Sequence, residues 1–339
     1  MRRNNVRRSL RRFLGTAMLA AALLTMSGCY YVQAARGQLE INRKREPIEE
    51  VVAAADSTPE LVAQLQLINE ARRFSIDELQ LPDNDSYRSY ADLERDYVVW
   101  NIVAVPEFST TAKSWCYPVV GCVSYRGYFS EETARQKADE LRADGYDVAL
   151  GGVAAYSTLG KFDDPVLNTM LHWGDEDLVA VMFHELAHQV LYVKDKTEFN
   201  ESFATAVEEI GMERWLERRG ETDLLDDWRS RRALRADFTE LVGMARADLK
   251  TLYASQRSVA EKRAMKQVRL EAFAASATQL YANAGRAAPG WLQSELNNAR
   301  LVSTTLYHGQ LLEFRELLDE CDGDLPCFYS EATRLAEST

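Results

Sequence analysis

Residues 175–192 read Asp175-Glu176-Asp177-Leu178-Val179-Ala180-Val181-Met182-Phe183-His184-Glu185-Leu186-Ala187-His188-Gln189-Val190-Leu191-Tyr192, and four residues later comes Thr197-Glu198-Phe199-Asn200-Glu201-Ser202-Phe203-Ala204-Thr205. From Asp177 to Tyr192 the chain is apolar and free of Gly and Pro, so it reads as a helix. Asp175, Glu176 and Asp177 load its first turn with negative charge, which suits the positive end of a helix. Residues four apart on a helix point the same way, so His184 and His188 can hold one ion between them. His-Glu-Leu-Ala-His is the H-E-x-x-H pattern of zinc hydrolases, and it uses two of only four histidines in the chain, His172, His184, His188 and His308. Glu185 lies about 100° round the helix from His184, beside the ion but off the ligand line, where a general base acts on water. Leu178, Val181, Met182 and Leu186 supply apolar surface that seals such a site.

A catalytic zinc takes three protein ligands and keeps one position open. No Gly and third His follow His188 at the short interval of the metzincin pattern, so the third ligand is expected on the next element. The run from Thr197 to about Arg219 has helical composition and offers Glu198, Glu201, Glu208 and Glu209. Glu201 is the choice, because it lies early on that helix, where an antiparallel partner brings it opposite the histidines. Glu201, Thr205 and Glu208 share one face, so Thr205 or Glu208 can orient a ligating histidine.

Asn200-Glu201-Ser202-Phe203-Ala204 resembles the Asn-Glu-Gly-Phe-Ala segment that carries the third zinc ligand of gluzincin aminopeptidases. The stretch from Tyr156-Ser157-Thr158-Leu159-Gly160 through Asp163-Asp164-Pro165 to Tyr192-Val193-Lys194-Asp195 is similar to a bacterial family named for aminopeptidase activity. Asn297-Asn298-Ala299-Arg300-Leu301 and Tyr307-His308 resemble it too, so the likeness covers most of the chain beyond the signal. It implies an α+β, predominantly helical gluzincin fold with a small β-sheet beside the zinc helix. It also implies one Zn2+ per chain on His184, His188 and Glu201, Glu185 as base, and a peptide substrate. Gluzincins bind extended substrate along the edge strand beside the zinc helix, and the resemblance puts Gly151, Gly152 and Tyr156 there. Two features depart from the pattern. The gap of twelve residues between His188 and Glu201 is shorter than usual, which demands a tight connection. The Gly-x-Met-Glu-Asn segment that holds a free substrate amino group is missing.

The N-terminus reads as a secretion signal. Arg2, Arg3, Arg7, Arg8, Arg11 and Arg12 precede an apolar run from Phe13 to Met26 that is short for a membrane span. Met26-Ser27-Gly28-Cys29 resembles a bacterial lipobox, which implies cleavage before Cys29 and acylation of that cysteine. Tyr30 in place of Asp after it implies sorting to the outer membrane, with the protein facing the periplasm. The first 28 residues hold six of the 40 basic residues and none of the 52 acidic ones, so the rest carries a net charge of −18. That surface argues against nucleic acid and against electrostatic attraction to anionic lipid. Cys116 and Cys122 bracket one set of turn residues and Cys321 and Cys327 another; in an oxidising compartment these read as two local disulfides.

The organisation expected is a signal over 1–28, a helical segment over 29–95, a catalytic core of sheet and zinc helices over 96–220, and a helical region over 221–339. Thr58-Pro59-Glu60 starts a helix and Ser130 caps one that ends before Gly145. Tyr97–Val105, Ser114–Val119, Val123–Phe129 and Asp147–Thr158 read as strands. Leu224 to about Tyr281 reads as a long helical hairpin, with two or three helices after Pro289-Gly290.

The expected function is zinc-dependent hydrolysis of peptide bonds at the cell envelope, an aminopeptidase by resemblance, with endopeptidase as the alternative among enzymes. A different class is a lipid-anchored binding or assembly protein that retains the fold, but a scaffold has no use for Glu185. Tyr307 and His308 follow a helix able to fold back over the cleft and are the candidates to stabilise an oxyanion.

Overall fold

The computed structural model describes residues 30–117, 121–305 and 310–338. It is mostly helical with three small sheets, an α+β architecture. Helix α1 (residues 30–43) leads into β1 (Arg45–Pro47), α2 (Ile48–Ala53) and α3 (Pro59–Asp77). Thr58 caps α3 by accepting the Leu61 N–H, and Pro59 occupies a first-turn position where its missing N–H costs nothing. Next come β2 (Ser89–Ala91), β3 (Val99–Pro106), β4 (Trp115–Tyr117), β5 (Gly121–Val123) and β6 (Arg126–Tyr128). After α4 (Glu131–Ala143), capped by Ser130, follow β7 (Tyr146–Val153) and β8 (Val166–Leu167).

Strand β3 is the centre of one sheet, antiparallel to β6 on one side and β7 on the other. Its alternating residues serve two faces, as period-two side chains must. Ile102 and Ala104 pack with Ala134, Ala138 and Leu141 of α4. Val103 and Val105 pack with Ala299 and Val302 of α10 (Asn298–Thr305). A second sheet runs β1-β2-β8, with β2 and β8 parallel. The hairpin β4–β5 sets Cys116 opposite Cys122, and the two are disulfide-bonded.

The largest core gathers α3, α5 (Asp175–Val190), α6 (Thr197–Arg219), α11 (Leu311–Glu320) and α12 (Leu325–Ser338) around β1-β2-β8, and draws on residues from Ile41 to Ala332. The second disulfide, Cys321–Cys327, joins the end of α11 to α12. Helices α7 (Thr222–Ala254) and α8 (Val259–Asn283) form the long hairpin, with a core of their own around Phe238, Val242, Leu270 and Phe273, and the short α9 (Trp291–Ser294) follows. No helix among the described residues is long and apolar enough to cross a membrane.

Two strand expectations change. The strand read over Asp147–Thr158 ends at Val153, because the chain then turns aside: the Ala154 carbonyl accepts from Thr169 Oγ1, and Asp164 ties down the loop beyond. Tyr156 therefore lies in a connection and not in the strand. The run Val123–Phe129 divides between β5 and β6 at Ser124-Tyr125. The sheet that shares a core with α5 is β1-β2-β8, whereas β7 lies in the sheet between α4 and α10.

Candidate metal centre

Helices α5 and α6 are joined by six residues, Leu191 to Lys196. The buried Asn200 side chain closes this connection: its amide donates to the Val193 carbonyl at 2.8 Å and its oxygen accepts the Val193 N–H at 2.7 Å. Asp195, at φ 65°, supplies the tight turn. The short interval after His188 is thus accommodated by a pinned loop, and Glu201, next to Asn200, is set at the start of α6 facing back along α5. His188 faces Glu201, and His184 faces both Glu201 and Glu208, a register that an antiparallel helix pair produces.

Ligand atoms of His184, His188 and Glu201 all lie within 4.8 Å of one another. Glu201 Oε2 is 3.2 Å from His184 Nε2 and 3.7 Å from His188 Nε2. Tetrahedral ligands at about 2.1 Å from a zinc ion stand about 3.4 Å apart, so these separations bracket the requirement. The three side chains are only 12, 6 and 13% exposed, so the donor set is dry, and two nitrogens with a carboxylate oxygen suit zinc. Glu208 Oε2 meets His184 Nδ1 at 3.1 Å, the contact that fixes a ring's tautomer and leaves Nε2 for a metal. Thr205 is buried on the same face, one turn from Glu201. Nδ1 of His188 is buried without a hydrogen-bond partner among the described residues.

The electrostatics favour a cation. Burial disfavours a charged His184, but Glu201 and Glu208, one on each ring nitrogen, outweigh it and hold its pKa well above the usual value. Burial likewise opposes ionisation of Glu201, yet the two imidazoles prevail and bring it down to about 2. Two carboxylates beside two imidazoles leave a negative surplus that a dication answers.

Glu185 follows His184 on α5, and three residues singled out on this helix for sealing, Leu178, Met182 and Leu186, are fully buried while Val181 packs against the same core. A second acid lies close by. Asp164 is buried, and burial first, then the neighbouring Glu185 charge, push its pKa up to about 6 against hydrogen bonds from Thr158 N–H, Thr158 Oγ1 and Ser157 Oγ. The phenol of Tyr87, also fully buried, feels the charge of Glu185 as well. The loop that Asp164 ties down runs along the zinc-pattern helix, with Gly160 against Gln189.

The disulfide-closed hairpin leans on the same connection. Asp195 Oδ1 accepts the Cys122 N–H at 2.5 Å. Gly121, at φ +80°, lets this happen, since a Cβ there would stand 2.2 Å from that oxygen.

The expected substrate strand looks different in three dimensions. Outward carbonyls of β7 are already engaged: Asn297 Nδ2 donates to Val148 and Arg300 Nη2 to Leu150. Gly152 has its own explanation, because the Tyr97 ring lies where a Cβ would be, at 2.3 Å. Gly151 has open space, with only Arg300 at 3.9 Å. Tyr156 packs edge-on against Phe129, 5.4 Å between centroids, at the border of the main core. Tyr307, His308 and Cys29 lie outside the described residues.

A family model described as "Putative aminopeptidase" matches residues 29–339. The chain belongs to that family. No curated protein and no solved structure matches it. The match takes in the whole of the α5–α6 pair and begins just after the arginine-rich N-terminal stretch.

Sequence reading missed several residues that build this family member's site. Asn200 was visible as a neighbour of Glu201, but its clamp on Val193 has no signature. Asp164 stood in an acidic pair before Pro165, and nothing in that pair tells which carboxylate is buried. Glu209, one of the four glutamates that α6 offers as a ligand, is held by Arg315 and Arg232.

Proposed function

We propose that the protein is a zinc-dependent peptidase of the aminopeptidase type. The observation that carries this reading is the convergence of His184 Nε2, His188 Nε2 and the Glu201 carboxylate within 4.8 Å, with Glu185 on the same helix. His184, His188 and Glu201 would hold the ion. Zinc bound there supplies Lewis acidity toward a substrate carbonyl and toward water.

The chain's own groups do the rest. Glu185 takes a proton from water and delivers it to the leaving amine. Glu208 keeps His184 in the tautomer that presents Nε2. Leu178, Met182 and Leu186, buried in the main core, fix the helix that carries the two histidines. Tyr307 and His308 remain the proposed donors to the developing oxyanion, and Cys29 the proposed acylated residue that would hold the domain at the outer membrane, facing the periplasm.

Metal content of the purified protein, together with cleavage of matched peptides carrying free and acetylated amino ends, tests the reading. One zinc per chain, loss of cleavage on chelation and its return with zinc are expected, with the free amino ends preferred. Cleavage that survives complete metal removal would overturn it. Equal cleavage of acetylated peptides would instead assign an endopeptidase.

A further inference from the structure

Behind His184, two adjoining hollows open between α6, α7 and α11. The inner one, about 300 Å³, reaches His184, Tyr281 and Thr304; the outer, about 330 Å³, reaches Arg232 and Arg315. Thr205, Glu208, Arg235 and Thr239 line both. The inner volume stands at the small end of the roughly 300–1,000 Å³ of ligand pockets and has room for a residue or two of peptide.

The charges on these walls do not balance locally. Glu208 is engaged with His184. Glu209 accepts Arg315 through Nε at 2.9 Å and Nη2 at 3.0 Å, and also pairs with Arg232 Nη2. Two guanidinium groups thus share one carboxylate. Arg232 Nη1 is left buried with no hydrogen-bond partner among the described residues. Burial, then the adjacent Arg315, bring the Arg232 pKa down to about 9, as crowded like charges must. Arg235, exposed and lining both hollows, has no ion pair among the described residues, and its charge reaches Arg232. Asp237 and Glu240 also line the outer hollow, but both are exposed there, and neither lines the inner one. The inner hollow combines one unpaired guanidinium with the hydroxyls of Thr239, Thr304 and Tyr281, donors suited to an anion.

We propose that Arg235 anchors a substrate carboxylate, the free C-terminal carboxylate of a peptide that ends a residue or two beyond the bond cleaved, so that the protein acts on short peptides. This rests on the peptidase reading above. A guanidinium presents a planar fork that matches a carboxylate, and an unpaired one lining both hollows is free to meet the incoming group. Carboxylate chemistry could also come from an acidic side chain, so the test has an arm for each source.

The experiment compares a neutral tripeptide as free acid, the same tripeptide as C-terminal amide, and an amide whose last residue is Glu. Turnover is read with wild type, Arg235→Ala and Arg235→Lys, and equilibrium binding of the same three with Glu185→Gln and its double variants at position 235. The free acid should be preferred about ten- to a hundredfold over the neutral amide, mainly in KM, the size expected of a hydrogen bond to a charged group. Arg235→Ala should abolish that preference, and Arg235→Lys should restore part of it. An Arg235-dependent preference for the Glu amide alone would keep the carboxylate site and overturn its terminal assignment. Equal turnover of acid and neutral amide by wild type, or a preference that persists in Arg235→Ala, would overturn the site and leave the peptidase reading standing. If no peptide is cleaved but the free acid binds in an Arg235-dependent way, the site stands and the peptidase reading falls. Absence of both overturns both.

Discussion

Two helical hairpins dominate the molecule, and they spend their interiors differently. Between α5 and α6 lie His188 and Thr205, both buried, with His184, Glu201 and Glu208 nearly so, and Asn200 is buried where the two helices join. Between α7 and α8 lie Phe238, Val242, Leu249, Leu270, Phe273 and Ala277. Among the described residues of that second pair, Lys266 is the one buried charge, and it has Asp147 and the Glu107 carbonyl as partners. Burying ionisable groups is costly unless each finds a partner. The first hairpin carries that cost at several adjacent positions, and this is what marks it as the candidate site.

The largest effect expected in the first hairpin comes from Glu185→Gln. The amide keeps the shape but cannot accept a proton, so kcat should fall by about 10²–10⁴ while zinc content stays the same. Turnover near wild type would remove Glu185 from the mechanism. Next come the two glutamates of α6. Glu201→Ala should lower zinc occupancy and activity together. Glu208→Ala, which releases only the far side of His184, should cost at most about 10–100-fold in metal affinity or activity. Metal titration with both variants ranks them, and the reverse order would move the third ligand two turns along the helix.

How much of this could be read in the chain depends on distance along it. His184, Glu185 and His188 are one helical turn, and their relation is fixed by 3.6 residues per turn alone. Glu201 needed one further assumption, an antiparallel partner, which the Asn200 clamp on Val193 secures. The α7–α8 hairpin and the caps at Thr58 and Ser130 are local patterns too, and they formed where expected. The contacts that escaped reading join residues far apart in the chain. Asp164 feels the charge of Glu185, and Arg315 reaches Glu209 across more than a hundred residues. Neither has a period or a turn signal, since each depends on how α11 and the loop after β7 dock. The end of β7 is hidden for the same reason: no proline or charge interrupts the chain between Val153 and Thr158, and the bond from Thr169 to the Ala154 carbonyl is a tertiary event.

A third variant tests the clamp. Asn200→Ala leaves the N–H of Val193 without its partner, while the carbonyl keeps only the Lys196 N–H at 3.3 Å. An unsatisfied group costs about 1–3 kcal/mol, so stability should fall by about 1–3 kcal/mol in urea unfolding. Because Glu201 is the next residue, zinc affinity should fall in parallel. A stability loss with zinc affinity unchanged would mean that the loop and the metal centre are independent.

The smallest effect belongs to the second hairpin and completes the contrast. Ser258 starts α8 with a capping box: it accepts the Glu261 N–H, and Glu261 Oε2 accepts the Ser258 N–H. The arrangement resembles the Asn200 clamp in logic, a side chain satisfying backbone groups at a helix–helix junction. It differs in exposure, since Ser258 and Glu261 are both open to solvent. Water can replace the lost oxygen in Ser258→Ala, so only about 1 kcal/mol should be lost, the usual cost of an N-cap. Zinc affinity and peptide turnover should not change, because nothing in α8 before Tyr281 lines the hollows beside His184. A loss from Ser258→Ala equal to that from Asn200→Ala would show that burial does not separate the two junctions, and a change in turnover would show that the long hairpin is coupled to the centre.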